Sequence, residues 1–262
     1  MSEEDPEPDP PAPAPLRRLR WWKEVLYIVA FYGVYSVIRN TQGSASVSEA
    51  LAFSHARQVI DIERALGLYV EEGIQQAFLG WRWFIQFWNL FYGTFHFVVT
   101  IAALVLLFQR FPARYPRWRN TLAATTGLAL IGFAAYPLMP PRLLPASYGF
   151  VDTLGVFGGL WSFDSGPVAQ VSNQYAAMPS LHFAWSAWSA FVLYPMLRRR
   201  WSRALVLSYP AATTFAIVVT ANHFWLDAAG GALVLGVGAL IGFRLAAATA
   251  PHPAQDVVPN RA

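Results

Sequence analysis

Two short polar segments interrupt an otherwise apolar chain, and each carries an imidazole. Ala177-Met178-Pro179-Ser180-Leu181-His182 sets a histidine just after a Pro-Ser pair. Ala221-Asn222-His223-Phe224-Trp225-Leu226-Asp227 sets one four residues before an aspartate. At i and i+4 on a helix, His223 and Asp227 share a face, with Cβ atoms about 5–6 Å apart. A carboxylate there accepts from one ring nitrogen, fixes the tautomer and leaves the other lone pair free. Such an imidazole is a nucleophile or base, and a second histidine supplies a separate acid or base. Pro179-Ser180 before an apolar run reads as a helix start, whose unpaired N–H groups and positive dipole end favour an anion. Ser180, Leu181 and His182 lie in that first turn. Arg142, in Pro140-Pro141-Arg142-Leu143-Leu144-Pro145, offers either a phosphate clamp or an anchor at lipid headgroups. The same His and Asp residues also suit a structural pair locking two helices, or a metal site of two His and one Asp. Nothing obviously supplies a further ligand, so no metal or other cofactor is expected.

The elements that must position these residues follow from composition. The 262 residues are 55% hydrophobic, 16% aromatic and only 13% charged, with a net charge of +4 and no cysteine. A soluble domain carries about 25% charged residues. The balance excludes a disordered chain, disfavours a water-soluble domain and leaves a polytopic helical membrane protein. Without Cys there is no disulfide, thiolate site or Cys nucleophile. Residues 1–20 are expected to be a disordered Pro-rich tail with no cleaved leader, 21–246 one membrane domain and 247–262 a second disordered tail.

Six apolar stretches read as membrane-spanning helices: 25–38, 84–108, 121–138, 183–197, 204–221 and 224–243. A span needs about 20 residues for about 30 Å of hydrocarbon, so the first and fourth are short. The basic residues choose an orientation. Arg17, Arg18, Arg20 and Lys23 precede the first stretch. Arg110, Arg114, Arg117 and Arg119 follow the second, Arg198, Arg199, Arg200 and Arg203 follow the fourth, and Arg244 follows the sixth. All four clusters then fall on one side, which the positive-inside rule assigns to the cytoplasm, together with both termini. They read as topology signals of a multi-pass inner-membrane protein, and no nucleic-acid partner is expected. The fourth stretch runs inward and the fifth outward, so His182 and His223, about 40 residues apart, meet at the extracytoplasmic face.

On that outer side the acids Asp61, Glu63, Glu71 and Glu72 balance Arg57 and Arg64. Ser46 with Glu49 reads as a capping box and Gly67 as a helix stop. Ala52, His55, Val59, Ile62 and Leu66 form one stripe, giving an interfacial helix with a shorter one near 70–79. His55 reads as a polar residue at the headgroup boundary. In the second stretch Asn89, Tyr92 and His96 recur on one face, either lining a substrate pocket or bonding a neighbouring helix. Gln86 fits either role, and Trp185 and Trp188 read as packing residues.

Met178-Pro179-Ser180-Leu181-His182 and His223-Phe224-Trp225-Leu226-Asp227, with Gly230-Gly231, resemble the second and third signature segments of the type 2 phosphatidic acid phosphatase superfamily. Leu181, where lipid phosphatases commonly carry Gly, is similar to the inositol phosphorylceramide synthase-like branch. The resemblance implies metal-independent phosphoryl transfer. His223 would attack phosphorus to give a phosphohistidine, Asp227 would orient it, and His182 would protonate the leaving oxygen and then activate water or an alcohol. It implies that Arg142 serves the phosphate-binding first segment; further substrate contacts are expected from Ser180, Leu181 and Asn222 in the two histidine segments and, if their stripe lines the pocket, from Tyr92, His96 and Asn89. The chain departs from the usual pattern in its basic residues: no Lys follows Lys23, and Ala216-Ile217 stand where a Ser-Arg pair is usual.

The leading expectation is a membrane-embedded lipid-phosphate phosphatase or head-group transferase, with a lipid phosphate or phospholipid and the bilayer as partners. The competing class is a small transporter in which His182, His223 and Asp227 form a polar relay. A transporter would repeat polar residues near mid-span and show internal repeats, whereas here the histidines sit at span ends and no repeat is visible.

Overall fold

A computed structural model describes residues 20–41, 48–158 and 174–249. The expected tails lie outside them, apart from Arg20 and the end of the last helix, as does Ser46. Among the described residues nine α-helices follow one another and no strand forms: α1 (Trp21–Thr41), α2 (Glu49–Ala65), α3 (Glu71–Phe78), α4 (Arg82–Arg110), α5 (Tyr115–Ala135), α6 (Thr153–Phe157), α7 (Leu181–Leu193), α8 (Arg200–Val219) and α9 (Trp225–Ala248). Each of the six apolar stretches is helical. Three of the helices, α4, α8 and α9, are long and apolar enough to cross a membrane. The fourth stretch gives α7, only 13 residues long. At 1.5 Å per residue it rises about 20 Å, short of a bilayer core. A 3-10 turn, Tyr194–Met196, with Pro195 inside it, ends that segment.

Helix α7 is the centre of the bundle, touching α4, α5, α8 and α9. Its Ala184, Ser186, Ala187, Ser189 and Ala190 are small, and with Trp188 they are buried. Small side chains let four neighbours approach one short helix. The largest interface joins α5 and α9. There a Cβ at Gly238 or Gly242 would collide with Thr125 or Thr121, so the two backbones pack at a distance only glycine permits. By contrast Leu233, Leu240 and Leu245 of α9, and Phe97, Val98 and Ile101 of α4, are exposed, an apolar perimeter suited to lipid. Helix direction puts the Arg110–Arg119, Arg198–Arg203 and Arg244 clusters at the end of the bundle opposite His182 and His223.

Two helices lie across the histidine end. Ser48, not Ser46, caps α2, its Oγ accepting from Leu51 N–H. Gly67 (φ +68°) ends the same helix with a Schellman pattern, Leu68 N–H to Glu63 O and Gly67 N–H to Arg64 O. The buried face of α2 is Ala52, Ala56, Val59, Ile60 and Glu63. The expected stripe is therefore rotated: Ile62 and Leu66 are exposed, because the inner face is set by the start of α9 and the 138–150 segment rather than by hydrophobicity alone. His55 Nδ1 donates to Pro137 O (2.8 Å) and the ring stacks on Tyr136, a satisfied polar residue. Glu63 and Glu71 are both fully buried and do not balance surface arginines as the sequence suggested. In α3, Gln75 exchanges two hydrogen bonds with the Val151 backbone and anchors the Pro-rich connection.

Candidate active site

The site is assembled by the starts of α7 and α9, the end of α8 and the middle of α4. The α8–α9 turn is tight. Asn222 N–H and His223 N–H both donate to Ile217 O (2.9 and 3.1 Å), closing the end of α8. Between them and the helix, Ala221 takes a left-handed conformation at φ +54°. That backbone costs an L-residue about 1–3 kcal/mol and persists only when its surroundings over-determine it. Here Ala221 O accepts from Arg142 N–H at 2.8 Å. Asn222 keeps its side chain inside the turn, donating to Thr220 O and Oγ1, so it shapes the turn instead of presenting its amide to a ligand.

His223 follows at once, and α9 begins two residues later. Asp227 is 0% exposed. Its Oδ2 accepts from Phe224 N–H (3.0 Å) and lies 3.1 Å from His223 Nδ1. A carboxylate that already caps the helix cannot rotate freely, so Nδ1 carries the proton and Nε2 keeps its lone pair.

His182 reaches the same place from α7. Ser180 is the N-cap, its Oγ accepting from Phe183 N–H, and its own N–H donates to Asp227 O at 2.8 Å. The two signature segments are thus joined backbone to backbone. Glycines make room for this. A Cβ at Gly231 would strike Ser180 O, one at Gly132 would lie 2.6 Å from Pro179 Cδ, and one at Gly230 3.3 Å from Pro179 Cβ. As a result the rings of His182 and His223 stand 5.4 Å apart at 62°, side by side at one face of the bundle. One tetrahedral group can touch both.

Two residues of the α4 stripe complete the wall. Tyr92 stacks on His182 (4.2 Å, 22°) and meets His223 edge-on at 6.4 Å. His96 also packs on His182, at 4.2 Å and 60°, its Nδ1 donating to Tyr92 O. Three imidazoles and a phenol therefore form one cluster. Asn89, the third member of the stripe, is committed elsewhere: its amide donates to Thr153 O and Gly158 O, and its carbonyl accepts from Thr153 Oγ1. It positions α6 and contributes no free group. Leu181 packs against the apolar cluster around Trp188. Gln86 donates to Phe157 O, Trp185 to Thr126 Oγ1 and Trp188 to Trp118 O, all structural contacts.

Arg142 is buried beside the His223 turn, its side chain 7% exposed. Its Nη1 pairs with Asp152 Oδ2 at 3.3 Å, and its Nε has no protein partner. A guanidinium with a donor to spare, on a residue whose backbone N–H holds the Ala221–His223 turn, suits an anion. Asp152 escaped the sequence reading. Its Oδ1 also caps α6 through Leu154 N–H, and the Asp152-Thr153 dipeptide in a Pro- and Gly-rich connection was the available signal. Among the described residues no group of three or more His, Cys, Asp or Glu side chains is arranged to hold a metal ion.

A family model described as the PAP2 superfamily matches residues 57–241, a stretch that holds both histidine segments, Arg142 and most of the bundle. No curated protein and no solved structure matches the chain.

Proposed function

This chain belongs to the PAP2 superfamily, and on that premise we propose that it is a membrane enzyme that cleaves or transfers the phosphoryl group of a lipid phosphate through a phosphohistidine. The observation that carries the reading is the His223–Asp227 bond with the His182 ring 5.4 Å away. Nε2 of His223 attacks phosphorus, and the bond from phosphorus to the leaving oxygen breaks. His182, protonated, delivers its proton to that oxygen. In the second half His182 takes a proton from water or an acceptor alcohol, whose oxygen attacks phosphorus and breaks the P–N bond. The cation that forms on His223 is stabilised by buried Asp227. Arg142 receives the phosphate oxygens, and Tyr92 and His96 hold the His182 ring. Leu181 in the second segment favours the inositol phosphorylceramide synthase-like branch, in which the acceptor is an alcohol.

The membrane placement belongs to the same proposal: six crossings, both termini in the cytoplasm and the histidines at the extracytoplasmic face, argued from the basic clusters at the opposite end. The natural absence of cysteine makes it testable. Trp83, 84% exposed at the start of α4, replaced by Cys is expected to react with an impermeant maleimide in intact cells, and Arg199→Cys only after lysis. The reverse pattern overturns the outer placement. The activity itself is tested with purified protein by phosphate release and head-group transfer across lipid phosphates, phosphoinositides and polyprenyl phosphates. Turnover of one of these classes is expected; inertness towards all of them removes the enzyme reading.

A further inference from the structure

The first turn of α9 is held from outside by two acids that the chemistry above does not use. Three successive backbone N–H groups there meet three carboxyls. Phe224 N–H donates to Asp227 Oδ2 (3.0 Å), Trp225 N–H to Glu71 Oε1 (3.3 Å) and Leu226 N–H to Glu63 Oε1 (2.8 Å). Helix N-termini leave such donors unpaired and favour negative charge, so carboxyl caps suit them. The burial is what needs explaining. Glu63 and Glu71 are both 0% exposed, and the Oε2 of each lies in the interior with no N–H or O–H donor to accept from. The two side chains are within hydrogen-bonding reach of each other. Among the described residues no Lys or Arg pairs with either. Two facing acceptors repel, and a single proton between them turns the contact into an O–H···O bond.

From this juxtaposition we propose that Glu63 and Glu71 are positioning residues: a carboxyl pair sharing one proton, which seats the first turn of α9 and so holds Asp227 behind His223. The catalytic meaning rests on the function proposed above, but the claimed geometry, the Asp227–His223 bond, can be read without substrate. Pinned by α2 and α3, this turn cannot slide along its axis, and Asp227 is its last residue. The groups facing the pair are acidic or neutral. Asp227 lies on α9, Glu72 follows Glu71 on α3, and Tyr69 between α2 and α3 faces both Glu71 and Glu72. The Arg64 guanidinium lies over the Tyr69 ring at 4.8 Å. Burial first, and Glu71 beside it second, push the Glu63 carboxyl from 4.5 up to about 9. The folded chain therefore keeps a proton that the unfolded chain releases near 4.5. Its stabilisation is complete below that pH, declines as pH rises and is lost above about 9.

The test compares the wild type with Glu63→Gln and Glu63→Ala in detergent. Glutamine still accepts from Leu226 N–H and donates to Glu71 without a titrating proton. The first readout is the His223 Nδ1–H resonance in imidazole-labelled protein, assigned by substitution. In the wild type it is expected to fade as pH passes about 9, in Glu63→Gln to persist at least about one pH unit higher, and in Glu63→Ala to be missing near neutral pH. The second is thermal stability, expected to decline between about pH 5 and about pH 9 in the wild type and less steeply in Glu63→Gln. A wild-type resonance at all pH values in Glu63→Ala, or a resonance in Glu63→Gln that fades at the same pH as in the wild type, overturns the inference. Should Glu63→Ala not fold, the glutamine variant decides alone. If the resonances behave as expected while every variant is inert towards lipid phosphates, the positioning role stands and the proposed function falls.

Discussion

Purified His223→Ala protein is expected to lose turnover on the physiological lipid by about 10⁴-fold or more, with the helical bundle intact. The size of the loss follows from the role: His223 forms the bond to phosphorus, and among the described residues only its ring is paired with a carboxylate. His182→Ala is expected to lose about 10²–10⁴-fold, the range for removing a positioned acid or base, since water can still carry a proton slowly. Asp227→Asn tests the orienter. An amide at that position still occupies the helix cap, but it can present its NH₂ to His223 Nδ1 and favour the wrong tautomer, for an expected loss near 10⁴-fold. Steady-state rates on the purified variants, with circular dichroism and size exclusion as controls for folding, check all three. Full turnover by either histidine variant contradicts the assigned roles.

Gly231→Ala is expected to cost at least about 100-fold in kcat without touching a reacting group. The added methyl would meet Ser180 O, a backbone atom tied through its own N–H to Asp227 O on the same helix. Neither side can yield alone, so the start of α7 must move away from α9. Such a shift moves His182 relative to His223, and a displacement near 1 Å is enough for about that loss. Overpacking of this kind also destabilises by about 1–3 kcal/mol. Gly236, on the same helix with nothing within 4 Å, is the control, and Gly236→Ala is expected to stay close to wild type in rate and melting temperature. Equal rates for the two variants would show that the close approach of α7 and α9 does not set the geometry of the histidines.

Much of this architecture is legible in the sequence because it depends on local pattern. Six apolar runs become six helices, and the i, i+4 spacing of His223 and Asp227 becomes a 3.1 Å contact, since helix geometry leaves little choice. That His182 joins them follows from chain direction through the bundle. What escapes is tertiary. The inner face of α2 includes Glu63 at the expense of Ile62, because its partner is the N-terminus of a helix over 150 residues away, which rewards a carboxyl more than a side chain of greater hydrophobicity. Asn89 shares a periodicity with Tyr92 and His96, yet its amide is claimed by Thr153 from a connection that carries no pattern of its own. Leu181 lies in the right segment, but its side chain turns into the Trp188 cluster. Periodicity names a face; it does not name what that face meets.

The central claim is a covalent bond between His223 and phosphorus. Purified protein is mixed with a turned-over lipid labelled on its phosphorus, quenched within one turnover in alkaline denaturant, and mapped by peptide. The account predicts an acid-labile, base-stable label on the peptide bearing His223, absent from His223→Ala. Continued turnover by a wild-type protein that never carries label, or label on another residue that survives in active His223→Ala protein, contradicts it.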